Sequence, residues 1–379
     1  MILPPSTIGI LGGGQLGRMF TVAARTMGYR VVVLEPDATC PTGSIADEHI
    51  QASYEDATAL EQLADSCAAI TTEFENTPAS SLKMLASKKI VSPSGDNVAI
   101  AQDRIREKTY LRDNEFPVGN FAIINSANPV DNAVTQIKFP ALMKTARFGY
   151  DGKGQAKVNS AEEVKKIYAD WGNKDCILEE FLNLKCEVSV VLARSADGEV
   201  MPFPVAENQH RNGILDISIV PARIDPGVSA EAMALAMNLA TTMNYVGVLA
   251  VEFFVLADDT LLINEMAPRP HNSGHYTIDA CHTSQFEQQV RALCGLPLGN
   301  PSLHTPVVMV NILGDIWTDG EPKWNLIFEH PDAKLHLYGK LEARPGRKMG
   351  HFTVKGKTVN EALQSALALR NALGIAVDD

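Results

Sequence analysis

The stretch Lys144-Thr-Ala-Arg-Phe-Gly-Tyr-Asp-Gly-Lys-Gly-Gln155 sets two lysines, Lys144 and Lys153, around three glycines, Gly149, Gly152 and Gly154. Glycine lets consecutive main-chain N–H groups converge on an anion, and a lysine ammonium is a point charge suited to phosphate oxygens. A solvated hairpin turn has the same composition, so the stretch gains weight only from what accompanies it. Downstream, residues 251–256 and 261–266 flank Ala257-Asp-Asp-Thr260, a hairpin signal. A turn centred on Asp258-Asp259 puts Glu252 opposite Glu265, with Cβ atoms about 4.5–5.5 Å apart. Facing carboxylates in apolar strands repel unless a cation sits between them, and a hard divalent ion such as Mg²⁺ would do this. Protonation of one acid, or a nearby arginine, is the other resolution. Lysines, glycine loop and paired acids together point to a magnesium nucleotide, although the P-loop pattern G-x-x-x-x-G-K-[ST] is absent.

The hairpin runs into Ala267-Pro-Arg-Pro-His-Asn-Ser-Gly-His275. The planar fork of Arg269 suits a carboxylate or carbonate. His271, Asn272 and His275 could orient or neutralise a small oxyanion, although for each histidine taken singly a structural hydrogen bond is the commoner role. Near the C-terminus, Arg344-Pro-Gly-Arg-Lys-Met-Gly-His351 is a basic run in an acidic chain, and its glycines and proline suggest a shaped turn that presents Arg347 and Lys348 to an anion. At the other end, Gly12-x-Gly14-x-x-Gly17 follows an apolar strand and opens a helix, with Glu35 at the tip of the next strand. This matches a dinucleotide fingerprint, but any phosphate could use the same helix N-terminus, and the glycines could merely permit close packing. Glu73, Glu75 and Asn76 fall at the carboxyl end of a later strand, where open α/β sheets bind ligands and where helix caps also occur.

Those residues need elements to hold them. Residues 7–11, 29–34, 69–75 and 89–91 read as short apolar strands alternating with helices at 18–27, 57–68 and from Thr77-Pro78, the pattern of a doubly wound parallel sheet. A charged helix starts near Asp103. Strands are expected at 139–144, 176–182 and 186–192, the last placing Glu187 on the face opposite Val188 and Val190. Residues 306–313 open a small final unit that ends in a helix at 360–373.

The chain has 379 residues, too many for one core, and a formal net charge of −12, which argues against a nucleic-acid backbone or an anionic membrane as partner. No apolar run approaches the length of a membrane helix, and the N-terminus lacks the basic region of a signal peptide. The six cysteines are scattered without a C-x-x-C pair, as expected of reduced thiols in a cytoplasmic protein.

Together these motifs resemble the ATP-grasp superfamily and, within it, the 5-(carboxyamino)imidazole ribonucleotide synthases of purine biosynthesis. The resemblance rests on Gly12-Gly-Gly-Gln-Leu-Gly-Arg-Met19, Phe74-Glu-Asn76, Phe148-Gly-Tyr-Asp-Gly-Lys-Gly-Gln155, Asn264-Glu-Met-Ala-Pro-Arg-Pro-His-Asn-Ser-Gly-His275 and Gly346-Arg-Lys-Met-Gly-His351. It implies an α/β (α+β overall) chain with three units. These are an N-terminal doubly wound domain at 1–103, an ATP-grasp domain at 104–305 whose mobile lid spans about 110–180, and a small C-terminal domain at 306–379. It implies that Arg104, Lys144 and the loop Gly149, Tyr150, Asp151, Gly152, Lys153, Gly154 and Gln155 hold ATP phosphates. Glu179, Glu180, Phe181 and Leu182 would line the adenine, Glu187 would take the ribose, and His210 would also sit at the nucleotide. Glu252 and Glu265, with Asn264, would hold Mg²⁺. The implied reaction is ATP- and bicarbonate-dependent carboxylation of 5-aminoimidazole ribonucleotide through carboxyphosphate. Lys153, Arg269, His271 and Asn272 would act at the chemistry. Gly14, Gln15, Leu16, Glu73, Asn76, Lys340, Arg347 and Lys348 would bind the ribonucleotide. A homodimer is the expected assembly. Other ATP-grasp ligases, an NAD-dependent oxidoreductase and a non-catalytic nucleotide-binding module are the competing readings.

Overall fold

The computed structural model describes residues 1–147, 149, 154–318 and 320–375. Tyr150, Asp151, Gly152 and Lys153 of the lysine–glycine loop therefore lie outside the described residues.

At the N-terminus, apolar strands too short to alternate demand cover on both faces. They form a five-stranded parallel sheet in the order Glu48–Ile50, Arg30–Leu34, Thr7–Leu11, Ala69–Thr72, Ile90–Val91. The helix Gln15–Thr26 buries Leu16, Phe20 and Ala24 on one face. Ala57–Ser66 and Ala79–Ala86 cover the other with Leu60, Leu63, Leu82 and Leu85. Gly28, at φ 87°, ends the first helix as the sequence suggests. The three-residue strand Glu48–Ile50 has no sequence signal of its own. The helix Gln285–Cys294, far along the chain, contributes Phe286, Val290 and Leu293 to the first face and so ties the middle of the chain to this sheet.

The helix Arg104–Asp113 begins where the Asp103 carboxylate accepts from the N–H groups of Ile105 and Arg106. Beyond it, Phe121–Ile124, Cys176–Glu180, Ala141–Thr145 and Gln155–Val158 form a four-stranded antiparallel sheet backed by the helix Ala161–Asp170. This subunit of the fold occupies the region expected as a lid and has its own apolar core, including Ile124, Met143, Val158, Val164 and Leu178.

The rest is one large antiparallel sheet, ordered Leu261–Ala267, Gly247–Leu256, Leu184–Arg194, Ala206–Arg211, Ile214–Val220, Val307–Leu313, Lys348–Lys355, Ala333–Leu337. It continues into the C-terminal residues because Val307–Leu313 pairs with Ile214–Val220. The final unit, expected to stand apart, shares the sheet and keeps a separate core where the helix Val359–Ala372 covers Val308, Val310, Phe352 and Val354.

The hairpin reaches its expected register by a different route. Glu252 faces Glu265 as expected, but beyond them Phe253 faces Ile263 and Val255 faces Leu261. The turn is therefore one residue longer than expected, with Asp259 at φ 68°, and a bulge at Asn264 restores the pairing. All six cysteines are free, and five are buried.

Candidate functional site

A cleft of about 1220 Å³ opens between the parallel sheet, the lid and the large sheet. Arg104, Lys144, Gly149, Gln155, Glu179, Glu180, Phe181, Leu182, Glu187, His210, Glu252, Asn264, Glu265, Arg269, His271 and Asn272 line it. So do Gly14, Gln15, Leu16, Glu73, Asn76, Lys340, Arg347 and Lys348 from the expected ribonucleotide set. Gly154, exposed and at φ 69°, is not among the lining residues, and an added Cβ there would meet Thr145 Oγ1. His275 does not line the cleft either. It is buried with its ring against Phe286 and His351, which corrects the expectation that it meets an oxyanion.

Cations on the lid side converge through one acid. Glu179 was expected against adenine, but its two oxygens accept from Lys144 at 2.6 Å and Lys108 at 2.9 Å. Burial opposes ionisation of Glu179, yet the two lysines overcome it and hold the carboxyl at about 2. Glu179 thus sets the positions of two ammonium groups, one of which, Lys108, carried no pattern of its own. Beside it, Glu107 is buried and accepts from the Met266 N–H at 2.6 Å. Burial and the nearby Glu265 raise its carboxyl to about 8.

The facing acids have already found different partners. Arg104 donates to Glu265 at 2.8 Å, and His271 Nε2 lies 3.1 Å from Glu252. Burial opposes the charge on Glu265, but Arg104 pulls its carboxyl far down. Burial, then the Glu265 charge, pushes Glu252 up. The arginine resolution foreseen for this pair is thus present in the structure. Among the described residues the metal-capable group of three is Glu187, His210 and Glu252, with ligand atoms within 4.8 Å of one another. His210 Nδ1 lies 3.3 Å from Glu187, whose hydrogen bond raises the imidazole against the effect of burial. The bulge leaves Asn264 Oδ1 buried with no hydrogen-bond donor. Two carboxylates and an orphaned amide oxygen fit an oxygen-seeking cation such as Mg²⁺ better than the nitrogen of His210 does.

At the next turn, Arg269 hydrogen-bonds Glu75 through Nε and the Pro270 carbonyl through Nη1 at 3.0 Å. Burial and the neighbouring Arg269 charge lower His271 to about 3, so its ring is neutral. Asn272 was expected at the oxyanion, but its amide exchanges two hydrogen bonds with Asn311, at 3.0 and 2.7 Å, across the large sheet. Asn311 lies 39 residues away and could not have been found from local spacing. On the opposite wall, Lys340 Nζ donates to the Lys348 carbonyl at 2.7 Å, and Arg347 follows a turn at Gly346, φ 73°.

The glycine turn answers the dinucleotide reading. Glu73 accepts from the Gly14 and Gly17 N–H groups at 2.6 and 2.9 Å, and Glu35 accepts from Gly13 at 2.7 Å. Instead of meeting a ribose, Glu35 also takes the Tyr54 hydroxyl at 2.5 Å. The place a pyrophosphate would occupy is filled by the chain's own carboxylates, so the NAD reading fails on geometry.

Family models match along the chain: the ribonucleotide synthetase preATP-grasp domain over 6–102, the ATP-grasp domain over 109–286 and the phosphoribosylaminoimidazole carboxylase C-terminal domain over 307–365. N5-carboxyaminoimidazole ribonucleotide synthase of Bacillus subtilis is 44% identical over 368 residues, 96% of this chain and 95% of that one. The crystal structure of an N5-carboxyaminoimidazole ribonucleotide synthetase as its ADP complex superposes with a TM-score of 0.92 at 42% identity, covering 99% of each chain. The Aspergillus clavatus synthase in complex with ADP and 5-aminoimidazole ribonucleotide gives a TM-score of 0.89 at 30% identity, covering 98% of this chain and 99% of that one. With this likeness running through all three units, the chain belongs to the N5-carboxyaminoimidazole ribonucleotide synthases of the ATP-grasp superfamily.

Proposed function

We propose that the cleft joins bicarbonate to the exocyclic amine of 5-aminoimidazole ribonucleotide at the expense of ATP, giving N5-carboxyaminoimidazole ribonucleotide, ADP and phosphate in purine biosynthesis. The observation that carries this reading is the convergence of three charge sets on one cleft: Lys144 with Arg104, the facing acids, and Arg269. Relatives crystallised with ADP, and with ADP and the ribonucleotide, support the choice of ligands.

Triphosphate lies between the lid and the large sheet, with Lys144, Arg104 and the loop Gly149 to Gln155 at its phosphates. Phe181 and Leu182 stand where the adenine goes, and Glu187 and His210 stand at the ribose. Bicarbonate sits against the Arg269 guanidinium, whose fork is held by Glu75. A bicarbonate oxygen attacks the γ-phosphorus, the bond to the ADP oxygen breaks, and carboxyphosphate forms. The amine nitrogen then bonds to the carboxyl carbon, directly or as released CO₂, the carbon–oxygen bond to phosphate breaks, and the proton lost by the amine leaves with the phosphate. Glu252, Glu265 and Asn264 would hold Mg²⁺, which supplies positive charge to the transferring phosphoryl oxygens when bound. The lysines and Arg104 act on the same charge, and most of phosphoryl-transfer catalysis is of this kind. A neutral His271 leaves the carbonate charge to Arg269. Lys340, Arg347 and Lys348 face the ribonucleotide phosphate across from Gln15 and Leu16. Domain limits at about 103 and 305, a homodimer and a cytoplasmic location belong to the same proposal.

The test is phosphate release with each substrate omitted in turn and the product identified by its carbamate. Release that needs ATP, bicarbonate and ribonucleotide together is expected. Release indifferent to bicarbonate and ribonucleotide would reject the reaction.

A further inference from the structure

Behind His271 runs a line of polar side chains that no proposed ligand touches. Ser218 Oγ donates to Asn208 Oδ1 at 2.8 Å, Asn208 Nδ2 donates to Ser189 Oγ at 2.9 Å, and Ser189 Oγ donates to Ser273 Oγ at 2.7 Å. Ser273 Oγ then lies 2.9 Å from His271 Nδ1. Ser218 and Ser273 are wholly buried, and Ser189 and Asn208 are 1% and 5% exposed, so these groups satisfy one another.

The direction of the line can be read from donors that have no choice. A main-chain N–H only donates, and that of Ser273 points at His271 Nδ1 at 3.3 Å. Nδ1 must therefore accept, and in a neutral imidazole the proton then sits on Nε2. Ser273 has one hydroxyl proton. With Ser189 donating to its oxygen, that proton turns to Nδ1 as a second donor. Asn208 keeps Ser189 oriented by giving it an amide N–H and spending its own oxygen on Ser218. An amide cannot relay a proton as a hydroxyl chain can, so the line orients groups and does not conduct protons. Gln285 fixes the histidine main chain from the other side, accepting from the His271 N–H at 2.8 Å and donating to its carbonyl at 2.7 Å.

We propose that Ser273, with Ser189 and Asn208 behind it, is a positioning residue for the reaction, holding His271 as its Nε2–H tautomer so that this proton is given to Glu252. One oxygen of Glu252, a residue of the cleft wall, is then committed to His271, at 3.1 Å. The opposite tautomer would set a lone pair against the carboxylate and free it to rotate. Such partners behind a ligating carboxylate set its orientation. The assignment rests on the proposed reaction only for its catalytic consequence; the tautomer itself does not depend on it.

Nitrogen NMR of the full-length, ligand-free protein labelled at histidine reads the tautomer directly. In the wild type, His271 is expected to show Nδ1 bare and Nε2 protonated. Ser273→Ala leaves only the longer main-chain N–H contact on Nδ1, at 3.3 Å, so part of the population is expected to shift to the Nδ1–H form and kcat to fall about 10–100-fold with little change in KM for ATP. Ser189→Ala should shift the tautomer in the same direction and to a smaller extent, and it carries the test if the first variant does not fold. A protonated Nδ1 in the wild type, or a wild-type tautomer retained in both variants, would overturn the proposal. If the reaction is misassigned, the tautomer still shifts in the variants while the wild type lacks bicarbonate-dependent phosphate release.

Discussion

The chain holds two pairs of acids beside glycine-rich or hairpin turns, and they are used in opposite ways. Glu35 and Glu73 spend their oxygens on the N–H groups of Gly13, Gly14 and Gly17, which the main chain fixes in place. Glu265 is matched by Arg104, a long side chain that can swing away, and Glu252 by the His271 ring, which touches one of its two oxygens. A carboxylate bound to main-chain dipoles is part of the fold. One bound to a long side chain can exchange that partner for an incoming cation. Motif spacing alone does not separate the two cases. The fingerprint Gly12-x-Gly14-x-x-Gly17 has every mark of an anion site, and the anion is internal.

The sharpest way to break this contrast is at the exchangeable pair. Glu265→Gln keeps an acceptor for Arg104 but removes one of the two carboxylates of the facing pair. Turnover is expected to fall on the order of 10³-fold, with the circular dichroism spectrum unchanged. Steady-state phosphate release checks it, and near-normal turnover would move the cation site elsewhere. The fixed pair should behave the other way. Glu73→Ala strands the part-buried N–H of Gly14 and the buried N–H of Gly17, and is expected to lower stability by about 2 kcal/mol in denaturant unfolding without ligands. An unchanged midpoint would mean the glycine turn does not depend on that carboxylate.

The same distinction explains what could be read from the sequence. The parallel sheet was legible because its apolar runs, glycine turn and capping residues are local signals. The hairpin acids and the Arg269 turn were legible because each carries its chemistry within about a dozen residues. Glu252 met Glu265 only because two departures cancelled, a longer turn and a bulge at Asn264, and no propensity predicts that cancellation. Partners that arrive from across the chain left no trace. Lys108 meets Glu179, Asn272 meets Asn311, and Ser189 meets Ser273, 84 residues on. The same holds for the pairing of Val307–Leu313 with Ile214–Val220, which merges units the composition would separate.

A third group extends the contrast from acids to bases, and its predicted effect is the smallest. His351 lies wholly buried between the stacked ring of His336 and that of His275, with Nδ1 2.9 Å from the Tyr338 hydroxyl and Nε2 without a partner. Asp279 is the acid nearest the cluster and is spent on His336 at 2.8 Å and on Thr353 at 2.7 Å. Burial, then the charges of His275 and His336, holds the His351 imidazole well below its ordinary value. A depressed histidine stays neutral in the fold while the unfolded chain takes up a proton below about pH 6.5, so its contribution to stability is whole above that pH and is lost as pH falls. Other buried groups add their own slopes. His210, raised by Glu187, and Glu107, raised by burial, act in the opposite direction, so the wild-type curve alone does not isolate His351. The difference between two proteins does. His351→Gln cannot titrate, and its stability should fall less than that of the wild type between pH 7 and 5.5, by about 1 kcal/mol. Paired unfolding curves at the two pH values measure this. Equal losses in both proteins would mean that His351 is protonated inside the fold, and a base committed to packing would then be as exchangeable as the acids of the cleft.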